Sequence, residues 1–309
     1  MKEFKYVYGP VPSRRMGLSL GISPIPSKYC NYSCVYCQLG KTKHMTNKRE
    51  EFFKLGDILH EAKKYIESKV RFDVITIVGE GEPTLYSKLG GLIDSLKELS
   101  DKPIAVITNG ALLYDSKVRD ELYQADIVLP TLDAFDEKSY RKINRPYGKI
   151  KYESFFEGLK KFSENYKGQL WLEIMLVKGI NDSKEALIKL KEKLGQIKYD
   201  KIYVNVPVRP PAEKWVNIPT ERSIKMALEI LGGISIESLV SEGFYSEIKD
   251  DYEAILSIIK RHPMNNFEIK TFLEQRKSLD IRKIFEKLAK NNKIEKIEYK
   301  GYVTYRVKQ

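Results

Sequence analysis

Short apolar stretches rich in β-branched residues recur along the first three quarters of the chain. Each is followed by a segment whose apolar positions lie three and four apart. "LSLGI" (18–22), "FDVITIV" (72–78), "PIAVIT" (103–108), "ADIVLPTL" (125–132), "LWLEIMLV" (170–177) and "KIYVNVPV" (201–208) read as strands. Helical spacing appears at 55–68, 87–99, 115–123, 152–164, 183–195 and 220–231. Near-continuous apolar strands alternating with helices are what a parallel sheet covered on both faces requires. Six such units predict an α/β fold, a partial (β/α)6 TIM-like barrel rather than a sandwich. The loops that leave the carboxyl ends of the strands are then the place to look for chemistry.

The alternation stops after residue 235. Residues 236–250 read as a connector. Beyond it, "DYEAILSIIKRHP" is an amphipathic helix stopped by Pro263. "NFEIKTFLEQRK" and "LDIRKIFEKLAKNN" add two helices, and "KIEKIEYKGYVTYRV" reads as a hairpin turning at Lys300–Gly301. Three helices followed by a two-stranded ribbon have the order of a winged helix-turn-helix. The expected organisation is therefore a barrel over 1–235, a connector over 236–250 and a winged-helix-like domain over 251–309.

Composition is that of a chain able to bury a core, with 42% hydrophobic and 11% aromatic residues in 309, which argues against disorder. The formal net charge is +12, and residues 251–309 carry 14 Lys and Arg against 8 Asp and Glu. Two readings of this excess stay open: a polyanionic partner such as nucleic acid, or the Lys- and Glu-rich surface common in thermophilic proteins. No apolar run of about 18 residues occurs, which predicts no membrane span. The first fifteen residues lack the continuous apolar stretch of a secretory signal.

All three cysteines fall within "KYCNYSCVYCQLGKT", at Cys30, Cys34 and Cys37. An odd number so tightly spaced is no disulfide framework, and a reducing, cytoplasmic compartment is expected. Three thiolates on one loop suit a cubane [4Fe–4S] cluster, each holding one iron and leaving the fourth open. The competing reading is a Cys₃His structural zinc site recruiting His44. The position of the loop, just after the first barrel strand, favours the cluster.

"CNYSCVYC" matches the CxxxCxφC signature of the radical S-adenosylmethionine (SAM) superfamily, with Tyr36 as the aromatic residue, and the chain resembles that family. The resemblance implies a [4Fe–4S] cluster on Cys30, Cys34 and Cys37, and SAM chelated at the open iron through its amino and carboxylate groups. It also implies cleavage of SAM by one electron to methionine and a 5′-deoxyadenosyl radical that abstracts hydrogen from substrate. A low-potential electron donor, ferredoxin or flavodoxin, is implied as partner. "GEP" within "IVGEGEPTLY" resembles the family's GGE motif and assigns the methionyl ammonium to Gly81 and Glu82; Glu80 departs from the motif's first Gly. A dinucleotide fingerprint fails there, because Pro83 and Thr84 interrupt it. "TNG" places Asn109 at SAM or the pocket, with an ordinary Asn-Gly turn as the alternative. Thr131 and Asp133 are implied near the SAM ribose, with helix capping as the alternative for Asp133. Arg145 is implied to hold an anionic group, and Arg209 the SAM carboxylate or a substrate anion. Asn181 and Asp182 read as helix caps. Arg14 and Arg15 read as a solvated pair toward the other end of the barrel, or less simply as a phosphate clamp.

Together "YGPVPSRR", the cysteine loop, "GEPTL", "LDA", "INRP" and "RPPAEKW" cover about residues 8–220. They resemble a branch of Fe–S oxidoreductases related to the wyosine-forming tRNA enzymes. Those enzymes carry a second cysteine triplet; this chain has none, so their reaction is not implied. Two classes of function follow. One is RNA or tRNA modification, with residues 251–309 delivering RNA through the helix at "DIRKIFEKLAKNNK" and setting Lys296, Lys300 and Arg306 on phosphates. The alternative is radical modification of a protein, peptide or small metabolite, with the winged helix as a docking module. A redox-sensing binding protein is a third reading, which an intact Glu82 motif argues against.

Overall fold

The computed structural model describes residues 4–236, 243–246 and 248–308. A hairpin of β1 (Val7–Ser13) and β2 (Gly17–Ile22) opens the chain, and short strands β3 (Tyr29–Cys30) and β4 (His44–Met45) pair across the cysteine loop. Then come α1 (Leu55–Glu67), β5 (Val74–Ile77), α2 (Leu89–Leu99), β6 (Ile104–Thr108), α3 (Ser116–Leu122) and β7 (Ile127–Pro130). The series continues with α4 (Glu137–Ile143), α5 (Tyr152–Asn165), β8 (Gln169–Met175), α6 (Lys184–Leu194), β9 (Lys201–Asn205), α7 (Glu221–Leu231) and β10 (Ile234–Ser235).

One eight-stranded sheet runs β1-β2-β5-β6-β7-β8-β9-β10. It is parallel from β2 to β10, and β1 joins its edge antiparallel. The mixed α/β architecture with a parallel sheet is therefore present, and all six anticipated strands belong to it. The strands read as apolar runs because both faces are covered: every residue of β5 and β7 is buried. Helix starts are fixed by side-chain caps, Asp115 on α3, Asp136 on α4, Ser183 on α6 and Thr220 on α7. Gly232 ends α7 in the left-handed region, at φ 75°.

Two features depart from expectation. Arg14 and Arg15 turn the β1–β2 hairpin and are not a solvated pair: Arg15 is half-buried and ion-paired to Glu173 of β8. Burial lowers the Arg15 pKa to about 10. Asn181 is fully buried and caps nothing. It accepts from Val177 N and donates to the carbonyls of Asp133 and Met175, while Ser183 does the capping. Asp182 accepts from Gly179 N instead.

Of the connector expected at 236–250, residues 237–242 and 247 lie outside the described residues. Beyond it lie α8 (Asp251–Arg261), β11 (Met264–Asn265), α9 (Asn266–Gln275), α10 (Ile281–Lys290), β12 (Ile294–Tyr299) and β13 (Tyr302–Val307). The three strands form a small antiparallel sheet, β11-β13-β12. Lys300 and Gly301 both have positive φ, 53° and 78°, as a two-residue hairpin turn requires. Ile255, Ile259, Met264, Ile269, Phe272, Leu273 and Leu288 give this segment its own apolar core.

The segment is fastened to the barrel by polar bonds. Arg209, just after β9, donates twice to Glu268 of α9 at 2.5 and 2.6 Å. Tyr299 OH donates to Pro207 O at 2.5 Å, and Arg306 to Pro210 O at 3.2 Å. Arg261 donates to Lys5 O at 2.8 Å and lies over the Tyr8 ring. Arg306 was expected on a phosphate. It is buried instead, with Glu295 as its ion-pair partner, because the ribbon faces the barrel at that point. Among the described residues no helix is long and apolar enough to cross a membrane.

Candidate active site

The cysteine loop leaves β2 and is tied down on two sides. Ser33 N and Val35 N donate to Asn144 O and Ile143 O, and Tyr147 N donates to Asn31 O at 2.7 Å. Cys30 receives N–H donors from Tyr32 N at 3.4 Å and Asn109 Nδ2 at 3.6 Å, and Cys34 receives one from Asn144 Nδ2 at 3.8 Å. Burial pushes all three thiols up; beyond it, the neighbouring thiols push up Cys34. The N–H groups aimed at Cys30 and Cys34 would stabilise thiolate charge on those sulfurs once a cation is bound. His44 is exposed and stacked on the Tyr29 ring at 4.3 Å, so a Cys₃His zinc site is not built. Among the described residues no three His, Cys, Asp or Glu side chains gather around a point suited to one ion. A cubane asks for no such convergence, because each thiolate takes a different iron. The donor set fits a cluster.

Glu82 lies beside this loop, 2% exposed. One carboxylate oxygen accepts from Thr84 N at 3.0 Å, Thr84 Oγ1 at 2.5 Å and Thr108 Oγ1 at 2.6 Å; the other accepts from Asn109 N at 2.7 Å. Burial raises its pKa, and these four bonds oppose the rise. Gly81 is dictated by contact: a Cβ there would lie 1.8 Å from Tyr29 O. Glu82 N donates to that same carbonyl at 3.0 Å, so the two loops touch backbone to backbone. Asn109 forms the Asn-Gly turn, its Oδ1 accepting from Ala111 N, and its amide reaches Asn31 Oδ1 at 2.7 Å as well as Cys30.

Asp133 does not cap α4; Asp136 does. Its carboxylate accepts from Tyr36 OH at 2.5 Å, Asn144 Nδ2 at 2.7 Å and Met175 N at 2.7 Å. Burial pushes it up to about 6. Thr131, half-buried, bridges β7 to Glu173. Arg145 holds an anionic group of the chain itself, Glu213. Arg209 is engaged by Glu268, and Glu80 lies 3.9 Å from Arg261. Sequence reasoning missed Thr84, Thr108 and Asn144. All three stand inside quoted motifs, Thr84 in "GEPTL", Thr108 in "TNG" and Asn144 in "INRP".

A cavity of about 660 Å³ opens between the barrel and α9, and Tyr36, Cys37, Thr76, Glu173, Arg209 and Glu268 are among its walls.

Residues 25–190 match the family model described as Radical SAM superfamily. A UPF0026 protein of Methanocaldococcus jannaschii is 38% identical over 310 residues, covering 96% of this chain and 94% of that relative. A UPF0026 protein of Helicobacter pylori is 35% identical over 272 residues, covering 87% and 88%. Among solved structures, a radical SAM methyltransferase from Sphaerobacter thermophilus superposes with a TM-score of 0.54 at 17% identity, over 70% of this chain and 65% of that one. Native anSMEcpe with bound AdoMet superposes with a TM-score of 0.52 at 18% identity, over 69% of this chain and 59% of that one. These two likenesses are of fold.

Proposed function

The chain belongs to the radical SAM superfamily, and from that premise we propose how its residues perform the chemistry. Members of the family bind a [4Fe–4S] cluster and SAM and need a reductant. In this reading Cys30, Cys34 and Cys37 hold the cluster, and Gly81 and Glu82 receive the methionyl ammonium. When bound, the cluster supplies one electron that cleaves SAM to methionine and a 5′-deoxyadenosyl radical, which takes a hydrogen atom from the substrate.

The observation that carries this reading is the Glu82 cradle. A buried carboxylate held by Thr84, Thr108 and Asn109, with Asn109 also touching Cys30, is a rigid acceptor for an ammonium beside the cluster loop. Asp133 acts at one remove, fixing Tyr36 between Cys34 and Cys37. Thr131 keeps the ribose assignment. Arg209 fastens the C-terminal segment through Glu268 rather than serving SAM. The test is anaerobic: reconstituted protein with dithionite and SAM releases 5′-deoxyadenosine, and Cys34→Ala does not. Equal release by the variant refutes the assignment.

Residues 1–235, 236–250 and 251–309 are read as barrel, connector and winged helix-turn-helix, supported by the order α8-β11-α9-α10-β12-β13. RNA modification remains a second reading because α10 exposes Arg282, Lys283, Lys287 and Lys290. It requires salt-dependent RNA binding that Lys283→Glu/Lys287→Glu weakens; unchanged binding removes α10 from the account.

A further inference from the structure

We propose that the cavity between the barrel and α9 is the substrate site, and that it takes a small anionic molecule, a carboxylic acid or phosphate ester. This rests on the radical SAM reading above and names the substrate class that goes with it. Size is the first ground. About 660 Å³ lies within the range of roughly 300–1,000 Å³ typical of ligand pockets, and a substrate that shares it with SAM has to be small. The walls join three parts of the chain: Ser19 and Thr76 of the sheet, Tyr36 and Cys37 of the cluster loop, and Glu268 and Thr271 of α9.

The roof is the second ground. Arg209–Glu268, Tyr299–Pro207, Arg306–Pro210 and Arg261–Lys5 fasten the C-terminal segment at separate points. These fastenings bound the cavity on the α9 side, and a small molecule fits inside without breaking them.

Charge is the third. Arg14, Arg15, Arg209 and Arg261 line the cavity against two carboxylates, Glu173 and Glu268. Arg15 and Arg209 are paired to those two. That leaves Arg14, whose Nη1 reaches Ile236 O at 3.5 Å among the described residues, and Arg261, whose ion-pair partner Glu80 is not part of the wall. The Arg261 side chain is 6% exposed, donates to Lys5 O and is ion-paired to Glu80 at 3.9 Å, too long for a hydrogen bond, so that its Nε and Glu80 Oε1 both lack a hydrogen-bond partner among the described residues. A buried guanidinium with one N–H unsatisfied can still take an acceptor from a ligand. His262, also on the wall, is held neutral by burial and by Arg209, so the arginines are the cations of the cavity wall among the described residues.

The experiment uses the full-length, cluster-loaded protein with SAM and dithionite, and reads 5′-deoxyadenosine. Four additions are compared: the small-molecule ultrafiltrate of cells that make the protein, that ultrafiltrate after anion-exchange depletion, the ultrafiltrate after phosphatase, and total RNA from the same cells. The ultrafiltrate is expected to stimulate release and the depleted one not. Phosphatase abolishes stimulation by a phosphate ester and spares a carboxylic acid. Arg261→Gln is expected to raise the amount needed for half-maximal stimulation about tenfold, the size of a lost charged hydrogen bond. Arg14→Gln, on the exposed hairpin turn, does the same without disturbing the roof. Stimulation by RNA, stimulation that survives anion depletion, no stimulation by any addition, or two arginine variants indistinguishable from wild type overturns the proposal. Failure of the radical SAM reading looks different: SAM and dithionite alone then yield no 5′-deoxyadenosine above a no-enzyme control, and the proposal falls with it.

Discussion

Replacing Gly81 by Ala tests the contact on which the site depends. The added Cβ would stand 1.8 Å from Tyr29 O and 2.7 Å from Tyr29 C. Carbon and carbonyl oxygen settle at about 3.3–3.6 Å, so the two loops must part by roughly 1.5 Å. Both obstructing atoms are backbone, and no rotamer change relieves them. The separation breaks Glu82 N to Tyr29 O and strains Lys28 N to Glu80 O. Two hydrogen bonds at about 1 kcal/mol each, with an overpacking cost of about 1–3 kcal/mol, predict destabilisation of about 3–5 kcal/mol. In a chain of this size that is a fall in Tm on the order of 5–10 °C. Because Cys30 follows Tyr29, iron retained after anaerobic reconstitution should fall as well. Gly56→Ala is the control, since nothing lies within 4 Å of its added Cβ in α1; it should stabilise by about 0.5–1 kcal/mol. A Gly81→Ala protein with wild-type Tm, iron content and 5′-deoxyadenosine release would refute the backbone contact.

Asn109→Ala removes the donor to Cys30, and a bond of about 1 kcal/mol corresponds to a lower cluster potential by about 40 mV; an EPR-monitored redox titration checks this, and an unchanged potential counts against the bond. His262 is held at a pKa of about 4, against 6.5 when free, by burial and then by Arg209, with Glu268 opposing. The folded chain therefore binds fewer protons than the unfolded one below pH 6.5, and stability is lost as pH falls from 6.5 toward 4, by at most about 3 kcal/mol. Urea unfolding at pH 7 and 4.5 should show a smaller loss for His262→Gln than for wild type; equal losses sink the assignment. Glu268→Gln removes the ion pair and one of the two hydrogen bonds to Arg209 and should speed amide exchange across α9 more than tenfold, for a loss of about 2 kcal/mol. Exchange confined to the wild-type rate would mean that the other fastenings suffice.

The barrel was legible because its signal is local. Apolar runs of four to seven residues, such as "VITI" and "IVLP", mark strands wherever both faces are covered, and Asp and Ser caps mark where helices begin. Strand β1 escaped because "VYGPVPS" carries two prolines and a glycine, tolerable only on the sheet edge it occupies. The cysteine triplet and "GEP" were legible as motifs. What each polar side chain touches was not, since those partners are distant in sequence. Arg209 meets a glutamate 59 residues on, and Asp133 meets Tyr36 from 97 residues away. Arg306 reads as a surface cation in "VTYRV" and becomes buried only because the ribbon lies against the Pro210 carbonyl.

Besides the Lys5 carbonyl, two of the fastenings between the segments end on the main-chain oxygens of prolines, Pro207 and Pro210. A carbonyl is offered whatever side chain is attached, so most substitutions on the barrel side leave these two acceptors intact. Proline supplies the stiffness that aims them. Homologues are thus free to drift in sequence along this rim while keeping the same seam, provided the tyrosine and arginine that reach across it persist. Aligned sequences that vary on one side of a seam and hold firm on the other would be its evolutionary imprint.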